Sequence, residues 1–118
     1  MMANTREQCI FCSIIRKEIP ARIILEDETV LAIADIVPQA PIHYLIIPKK
    51  HIIDVRDLTS DDTTIASNLL MAARQLSVLH NNASCKLVMN NGHEAGQRVF
   101  HMHLHFLSGD LGHTSMLV

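Results

Sequence analysis

The chain has 118 residues, of which 48% are hydrophobic and 19% charged, and its formal net charge is −2. This length predicts one domain over 1–118, with a flexible N-terminus at 1–8 and a tail at 110–118. The lack of a basic excess argues against extended nucleic acid as a partner. No apolar run reaches the roughly 18–20 residues that span a bilayer, so we expect no membrane partner and a cytoplasmic location.

The predicted elements alternate between short strands and two helices. Apolar residues at helical spacing within 11–19 predict a short helix, which Pro20 ends. Two runs at 22–26 and 29–34 predict a hairpin, and 43–47 predicts a third strand. A long helix follows the acidic cap at 60–62, and its predicted buried stripe consists of Ile65, Leu69, Ala72, Leu76 and Leu79.

Strands over 85–89 and 99–107 complete about five antiparallel strands. A chain with this content predicts an α+β fold in which the long and the short helix lie on one face of the sheet. A turn-rich loop at 90–97 separates the last two strands. Its glycines, Gly92 and Gly96, allow close backbone approach, and its amides could hold an anion.

Histidine is the unusual part of the composition, with eight in the chain. Residues 101–107 alternate strictly, so a strand places His101, His103 and His105 on one face and the apolar residues on the other. Alternate imidazoles then start roughly 6.6 Å apart and can converge on one phosphate or one metal ion. Two chemistries remain open, a three-histidine zinc site that activates water and a direct imidazole nucleophile.

Two further features carry alternatives. Asp35 follows an apolar strand and either binds the hydroxyls of a ribose or forms a turn before the prolines. The three cysteines are an odd number, which argues for reduced thiols rather than a disulfide framework. The pair Cys9 and Cys12 is spaced for a metal site or a redox centre, and ordinary core cysteines are the third possibility.

The row at 101–107 resembles the His-φ-His-φ-His-φ-φ signature of the histidine triad superfamily. Other segments resemble the Hint-like branch of that superfamily, and the similarity extends from Cys9 to about Gly109. They are 10–11, 14–20, 35–36, 38–41, 46–51 and 96–97. The resemblance implies a HIT-like fold and a purine nucleoside phosphoramidase or related nucleotidyl hydrolase. Its substrates would be AMP or GMP derivatives, and it would use no organic cofactor.

The resemblance also implies residue roles. His103 would attack the α-phosphorus, and water would open the resulting nucleotidyl-imidazole. His105 would contact the phosphate oxygens and assist proton transfer, and His43 would support the triad from a neighbouring strand. Asp35 would hold the ribose hydroxyls. The implied phosphate-positioning groups are Asn90 and the backbone of Gly96 and Gln97, and the implied base-pocket residues are Ile10, Phe11, Ile14, Ile33 and Ile36.

Three positions depart from the branch. Arg98 stands near the leaving group where serine is frequent, and it would favour an anionic part of the substrate or point to solvent. Ile33 replaces an aromatic residue of the base pocket. Residues 108–110 replace the usual Gly-Gly-Arg, so the substrate preference is left open.

The resemblance finally implies a metal and an oligomeric state. In some members a Cys-x-x-Cys pair, the histidine of Pro-Lys-x-His and the first triad histidine form a structural zinc site. Cys9, Cys12, His51 and His101 match that pattern. Four such ligands leave no open position, so this zinc would stabilise the fold rather than activate water. The branch implies a homodimer, and the rival function is a mononucleotide-binding regulatory or scaffold protein with little turnover.

Overall fold

The structure, a computed structural model, describes residues 8–111. Most of the predicted flexible N-terminus and of the predicted tail therefore lies outside the described residues. The strands are β1 (Ile23–Glu26), β2 (Val30–Ala34), β3 (Ile42–Pro48), β4 (Cys85–Val88) and β5 (Leu104–Ser108). The helices are α1 (Ile10–Ile15) and α2 (Thr63–Leu79), with 3₁₀ turns at Val55–Asp57, Ser60–Asp62 and His93–Ala95.

The five strands form one antiparallel sheet in the order β1-β2-β3-β5-β4. The predicted acidic turn joins β1 to β2. It is stabilised by Asp27 Oδ1, which accepts the backbone N–H groups of Thr29 and Val30 at 2.8 Å each. The α+β class and the five-stranded antiparallel sheet are thus confirmed.

The position of the short helix differs from the prediction. α2 packs against one face of the sheet, where the alternating residues Ala32, Ile46 and Phe106 are buried. α1 packs against the opposite face, on Leu31, Ile33, Leu45 and Ile47. The reason is that β2 and β3 are apolar at consecutive positions, so both faces of these strands must be covered.

A capping box begins the 3₁₀ turn Ser60–Asp62, which leads directly into α2. Thr59 Oγ1 accepts the N–H of Asp61, and the Asp62 carboxylate accepts the N–H of Thr59. Leu69, Ala72 and Leu76 of the predicted stripe are buried, whereas Leu79, the last helical residue, is 60% exposed. Among residues 8–111, no helix combines the length and the apolar character needed to cross a membrane.

β5 is shorter than predicted, because its ladder with β3 stops at the pair Ile46 and Leu104. The next pairings would bring Met102 beside Pro48, which has no N–H to donate. Met102 N–H donates instead to Ile52 O at 2.6 Å, and Pro48 O accepts from the His101 ring. The side chains still alternate, since Met102 packs in the α2 core while His101 and His103 contact α1.

Candidate active site

The three predicted imidazoles lie on the face of the sheet that α1 covers. His105 is paired with Leu45 of β3, whose side chain belongs to the core beneath α1. The Phe11 ring lies 5.9 Å from the His101 ring and 5.1 Å from the His103 ring, and the His103 and His105 rings are 5.1 Å apart. The Phe11 ring thus lies between two groups of histidines. His103 and His105 are the candidates for the reaction, and His101 belongs to the group suited to bind a metal.

The hydrogen bonding of His103 fixes which ring nitrogen carries the hydrogen. His103 Nδ1 lies 2.8 Å from the backbone oxygen of His101, and a carbonyl can only accept, so Nδ1 carries the hydrogen. Nε2 therefore presents a lone pair. Burial lowers the pKa of His103, and the His101 carbonyl and Asp35 oppose this shift. The neutral, nucleophilic form is favoured near pH 7.

His105 has the complementary arrangement. The backbone N–H of Gln39 donates to His43 Nδ1 at 3.1 Å, so the hydrogen of the neutral His43 ring is on Nε2. His43 Nε2 then donates to His105 Nδ1 at 2.9 Å. His105 consequently carries its hydrogen on Nε2, and that nitrogen is available as a donor to a ligand.

The pKa values of His43 and His105 are both lowered, which agrees with neutral rings. Burial lowers the pKa of His43, with Asp35 opposing the shift, and burial together with the neighbouring His103 and His43 lowers the pKa of His105 to about 4. Asp35 Oδ2 lies 3.4 Å from His43 Nε2. Because His43 is neutral, this contact is a secondary hydrogen-bond interaction rather than an ion pair.

An apolar pocket of about 430 Å³ lies beside the Phe11 ring. This volume falls in the range of small-ligand sites. The pocket brings together all six residues predicted for the base and ribose, namely Ile10, Phe11, Ile14, Ile33, Asp35 and Ile36. Ile36, which is 95% exposed, stands at the rim.

Asp35 serves the turn and the pocket together. Its Oδ1 accepts the N–H of Val37 at 2.8 Å, and its backbone N–H donates to His43 O at 3.0 Å. These contacts form the Asx turn that was one sequence interpretation. The same turn holds the carboxylate at the pocket wall, so the two interpretations are compatible.

The loop at 90–98 is ordered by its own hydrogen bonds. The backbone N–H groups of Gly96 and Gln97 donate to His93 O and Gly92 O, and the buried Gln97 side chain bonds Gly92 N, Ile53 O and Val99 O. Gly96 has φ +102°, a conformation that favours glycine, and a Cβ there would lie 3.7 Å from Asn90 Cγ. These two backbone amides can contact a phosphate only if they first release the carbonyl oxygens of His93 and Gly92.

Arg98 does not extend freely into solvent. Its Nη1 donates to His93 O and Gln97 O, both at 3.0 Å. The guanidinium therefore supplies the donor for two carbonyl oxygens of the loop, although the side chain is exposed.

The four predicted metal ligands converge at the other side of Phe11. Cys9 Sγ and Cys12 Sγ lie 3.3 and 3.5 Å from His101 Nδ1, Cys12 Sγ lies 3.3 Å from His51 Nδ1, and the two Nδ1 atoms are 3.1 Å apart. All four ligand atoms lie within 4.8 Å of one another. A tetrahedron with Zn–S near 2.3 Å and Zn–N near 2.0–2.1 Å has edges of about 3.3–3.8 Å, so the donor set fits zinc.

The surroundings of His101 also suit a ligand. His101 Nε2 donates to Pro48 O at 2.7 Å, which leaves the Nδ1 lone pair directed at the cysteines. Such an outer hydrogen bond fixes the tautomer and ring orientation of a metal-binding histidine. Because His101 is committed in this way, the arrangement argues against a zinc ion shared by His101, His103 and His105.

Sequence reasoning missed several contributors. Gln39 and Pro48 act through backbone atoms, which residue type does not reveal. Leu45, Ile19 and Arg22 also line the pocket. Only Leu45 had a signal in the sequence, because it follows His43 by two residues and therefore shares its face of β3.

Comparison with known proteins gives the same assignment at the level of the family. Residues 8–117 match the family described as scavenger mRNA decapping enzyme C-term binding. An uncharacterised HIT-like protein of Synechocystis is 46% identical over 104 residues, which cover 87% of this chain and 91% of that protein.

Solved structures of similar sequence share the fold. The HIT family hydrolase from Clostridium thermocellum is 41% identical, with a TM-score of 0.87, and the match covers 95% of this chain and all of that chain. A zinc-bound histidine triad family protein from Mycobacterium smegmatis is 30% identical, with a TM-score of 0.81, over 93% of this chain and 81% of that one. With its triad, its sheet and these relatives in agreement, the chain belongs to the histidine triad family.

Proposed function

We propose that this chain is a nucleotide-binding hydrolase that cleaves nucleoside phosphoramidates or related nucleoside monophosphate derivatives. One observation carries the proposal, namely the opposite hydrogen placement on two neighbouring imidazoles. His103 presents a lone pair at Nε2, and His105 presents an N–H at Nε2. A nucleophile beside a donor is what substitution at a phosphorus atom requires.

The reaction divides into two steps. His103 Nε2 attacks the α-phosphorus, a P–N bond to the imidazole forms, and the P–N or P–O bond to the leaving group breaks as that group takes a proton from solvent, a transfer that His105 assists. His105 donates to a phosphoryl oxygen, where negative charge develops in the transition state. Water then attacks the same phosphorus and returns a proton to solvent, and the P–N bond to His103 breaks, which releases the nucleoside monophosphate and the free imidazole.

The pocket supports the placement of the nucleotide. Apolar walls formed by Phe11, Ile14 and Ile33 suit a purine base, and Asp35 at the wall offers acceptors for the ribose hydroxyls. The Phe11 ring borders both the pocket and His103, so a base bound there puts the 5′-phosphate toward the triad. Asn90, Gly96, Gln97 and Arg98 form the loop that we propose to shape the phosphate end.

Zinc would be held by Cys9, Cys12, His51 and His101. A closed set of four ligands supplies structural stabilisation and leaves no position for substrate. The contribution of His101 to the reaction is made by its backbone oxygen, which orients the His103 ring.

Rapid-quench mass spectrometry with a nucleoside phosphoramidate tests the proposal. We expect a burst of leaving group equal to the active-site concentration and a transient mass increase of one nucleoside monophosphate, located on a peptide that contains His103. Tight binding of mononucleotide without a burst or a covalent adduct would instead establish the regulatory or scaffold alternative.

A further inference from the structure

A second pocket, of about 310 Å³, lies at the same end of the sheet as the base pocket. Tyr44, which packs in the α2 core, and His80, which caps the C-terminus of α2, line one side. Pro38 and Pro41 line the other side. Prolines restrict the backbone, so this part of the wall is preformed.

Arg22, which directly precedes β1, also lines this pocket. Ala34 N–H donates to Arg22 O at 2.9 Å, and Ala34 is paired with Tyr44, so the three residues form one row across the sheet. Directly opposed residues of antiparallel strands project to the same face, which places the Arg22 side chain on the side of Tyr44. Among the ion pairs formed within residues 8–111, none includes Arg22.

Tyr44 and His80 supply a further donor. Tyr44 Oη lies 2.7 Å from His80 Nε2, and the rings are 5.6 Å apart. The Tyr44 hydroxyl and the His80 ring carry at least two polar hydrogens and use one of them in this contact, so at least one O–H or N–H is left to donate to a ligand. The pocket therefore combines the Arg22 cation with a further donor.

The carboxylate of Asp35 is the feature that would oppose an anion, because this residue also borders the pocket. Its two oxygens already have partners within the chain, since Oδ1 accepts the N–H of Val37 and Oδ2 lies 3.4 Å from Nε2 of His43, which also lines this pocket. The groups that can receive an anion are therefore the donors of Arg22, Tyr44 and His80.

We propose that this pocket binds a phosphate group through the Arg22 guanidinium and the remaining hydrogen of the Tyr44–His80 pair. The planar guanidinium matches two phosphate oxygens at once. Arg22, Ala34 and Asp35 border both pockets, so the phosphate is either carried on the ribose of a nucleotide in the base pocket or is free phosphate. The ribose-linked source rests on the proposed function, whereas free phosphate does not.

Calorimetry on the full, metal-replete chain at constant ionic strength tests this site. The probes are adenosine 5′-monophosphate, adenosine 3′,5′-bisphosphate and inorganic phosphate. Arg22→Gln removes the cation, Tyr44→Phe removes the hydroxyl, and Arg16→Gln is the matched control because Arg16 is exposed, bonded to Glu18 and outside both pockets.

A ribose-linked phosphate predicts that wild type and Arg16→Gln bind the bisphosphate about tenfold more tightly than the monophosphate, and that both test variants lose this preference. A free phosphate predicts that inorganic phosphate binds in the presence of saturating monophosphate and that the same variants lose it. Circular dichroism verifies folding, and if Arg22→Gln does not fold, Tyr44→Phe decides.

The proposal is overturned if the wild-type chain neither prefers the bisphosphate nor binds inorganic phosphate. It is also overturned if this binding survives in both Arg22→Gln and Tyr44→Phe. Neither result affects the proposed function, which is measured separately by the hydrolysis of a nucleoside phosphoramidate with the wild-type chain.

Discussion

At the scale of single residues, His101, His103 and His105 differ in their partners more than in their positions. All three are buried on one face of the sheet. His101 bonds a carbonyl through Nε2, His103 bonds one through Nδ1, and His105 accepts at Nδ1. These contacts suit the three roles that we propose, namely a metal ligand, a nucleophile and a hydrogen-bond donor, within five residues of sequence.

Replacement of His103 by alanine or glycine is expected to abolish turnover while nucleotide binding persists. The nucleophile stabilises the transition state more than the bound ground state, so kcat should fall by roughly 10⁴-fold or more. Steady-state kinetics and calorimetry with a nucleoside monophosphate measure the two effects. Near-wild-type turnover by either variant would rule out the mechanism.

Asp35→Asn is expected to reduce discrimination between ribonucleotides and their deoxy analogues by about tenfold, because a carboxylate accepts two hydroxyl hydrogens better than an amide does. Asparagine can keep the bond to Val37 N, so the turn should survive. Asp27→Asn is the control, since Asp27 also forms a turn but lies outside the pocket. Competition assays that show equal discrimination in all three proteins would remove Asp35 from the site.

Acid is expected to destabilise the fold partly through His105. Its ordinary pKa is near 6.5, and the folded value is about 4, so the unfolded chain binds more protons between these values. Its contribution is complete above pH 6.5 and is lost as the pH falls toward 4, at up to about 1.4 kcal/mol per pH unit. Urea unfolding of His105→Gln should show a shallower loss of stability across this window, and an unchanged slope would contradict the assignment.

At the scale of elements, the metal-ligand cluster joins α1 to the segments that flank β3 and β5. Cys9 and Cys12 belong to the start of α1, His51 follows β3, and His101 precedes β5. α1 has only six residues, too few to be stable alone. Its position therefore depends on burial, and we expect a zinc ion bound by these four residues to stabilise it further.

Removal of zinc is expected to lower the melting temperature by about 10 °C before it changes the chemistry. A ligand at 100 times its Kd stabilises by about 2.7 kcal/mol, and each kcal/mol shifts Tm by roughly 4 °C in a domain of this size. Cys9→Ser with Cys12→Ser should reproduce the loss. Cys85→Ser should not, because Cys85 is exposed and outside the cluster.

The measurements are differential scanning fluorimetry with a chelator and elemental analysis of protein purified without one. Protein free of zinc, together with an unchanged Tm in the double variant, would leave the two cysteines as core residues. Loss of the pre-steady-state burst in folded, metal-depleted protein would contradict a purely structural role.

The sequence predicted most elements, and the exceptions have identifiable causes. Strand periodicity placed His103 and His105 on one face, because alternation is a local property. It could not predict the early end of the β3–β5 ladder, which depends on Pro48 being opposite Met102. Nor could it place α1, since the face that a short helix covers is decided by tertiary packing.

The residue roles also divide into those that the sequence predicts and those that depend on backbone conformation. Every base-pocket residue implied by the resemblance lines the pocket. Gln39 and Pro48 were not predicted, because a backbone amide and a backbone carbonyl are common to all residue types. The internal pairing of the Gly96 and Gln97 amides likewise depends on the loop conformation rather than on its composition.

At the scale of the whole molecule, the sheet formed within residues 8–111 has two edge strands, β1 and β4, and α2 exposes the apolar residues Leu70, Met71 and Val78. Exposed apolar patches on a helix are typical of protein interfaces. These surfaces support the homodimer that the family resemblance implies.

Sedimentation is therefore expected to give twice the mass of one chain at micromolar concentration. Leu70→Glu should shift the mass toward the monomer, because a charge would be buried in the contact. Val55→Glu serves as control, since Val55 is exposed but lies outside α2. A monomeric wild type, or a dimer unaffected by Leu70→Glu, would argue against this interface.

The separation of the metal ligands along the chain sets an order of events during synthesis. Cys9 and His101 are 92 residues apart, so at about 5–20 residues per second the cysteines wait roughly 5–18 s for their last partner. During that interval the two thiols are exposed to metals and oxidants, because α1 and β5 have not yet buried them. Binding of zinc by all four proposed ligands would then come near the end of folding, after α1 and the segment that precedes β5 have come together.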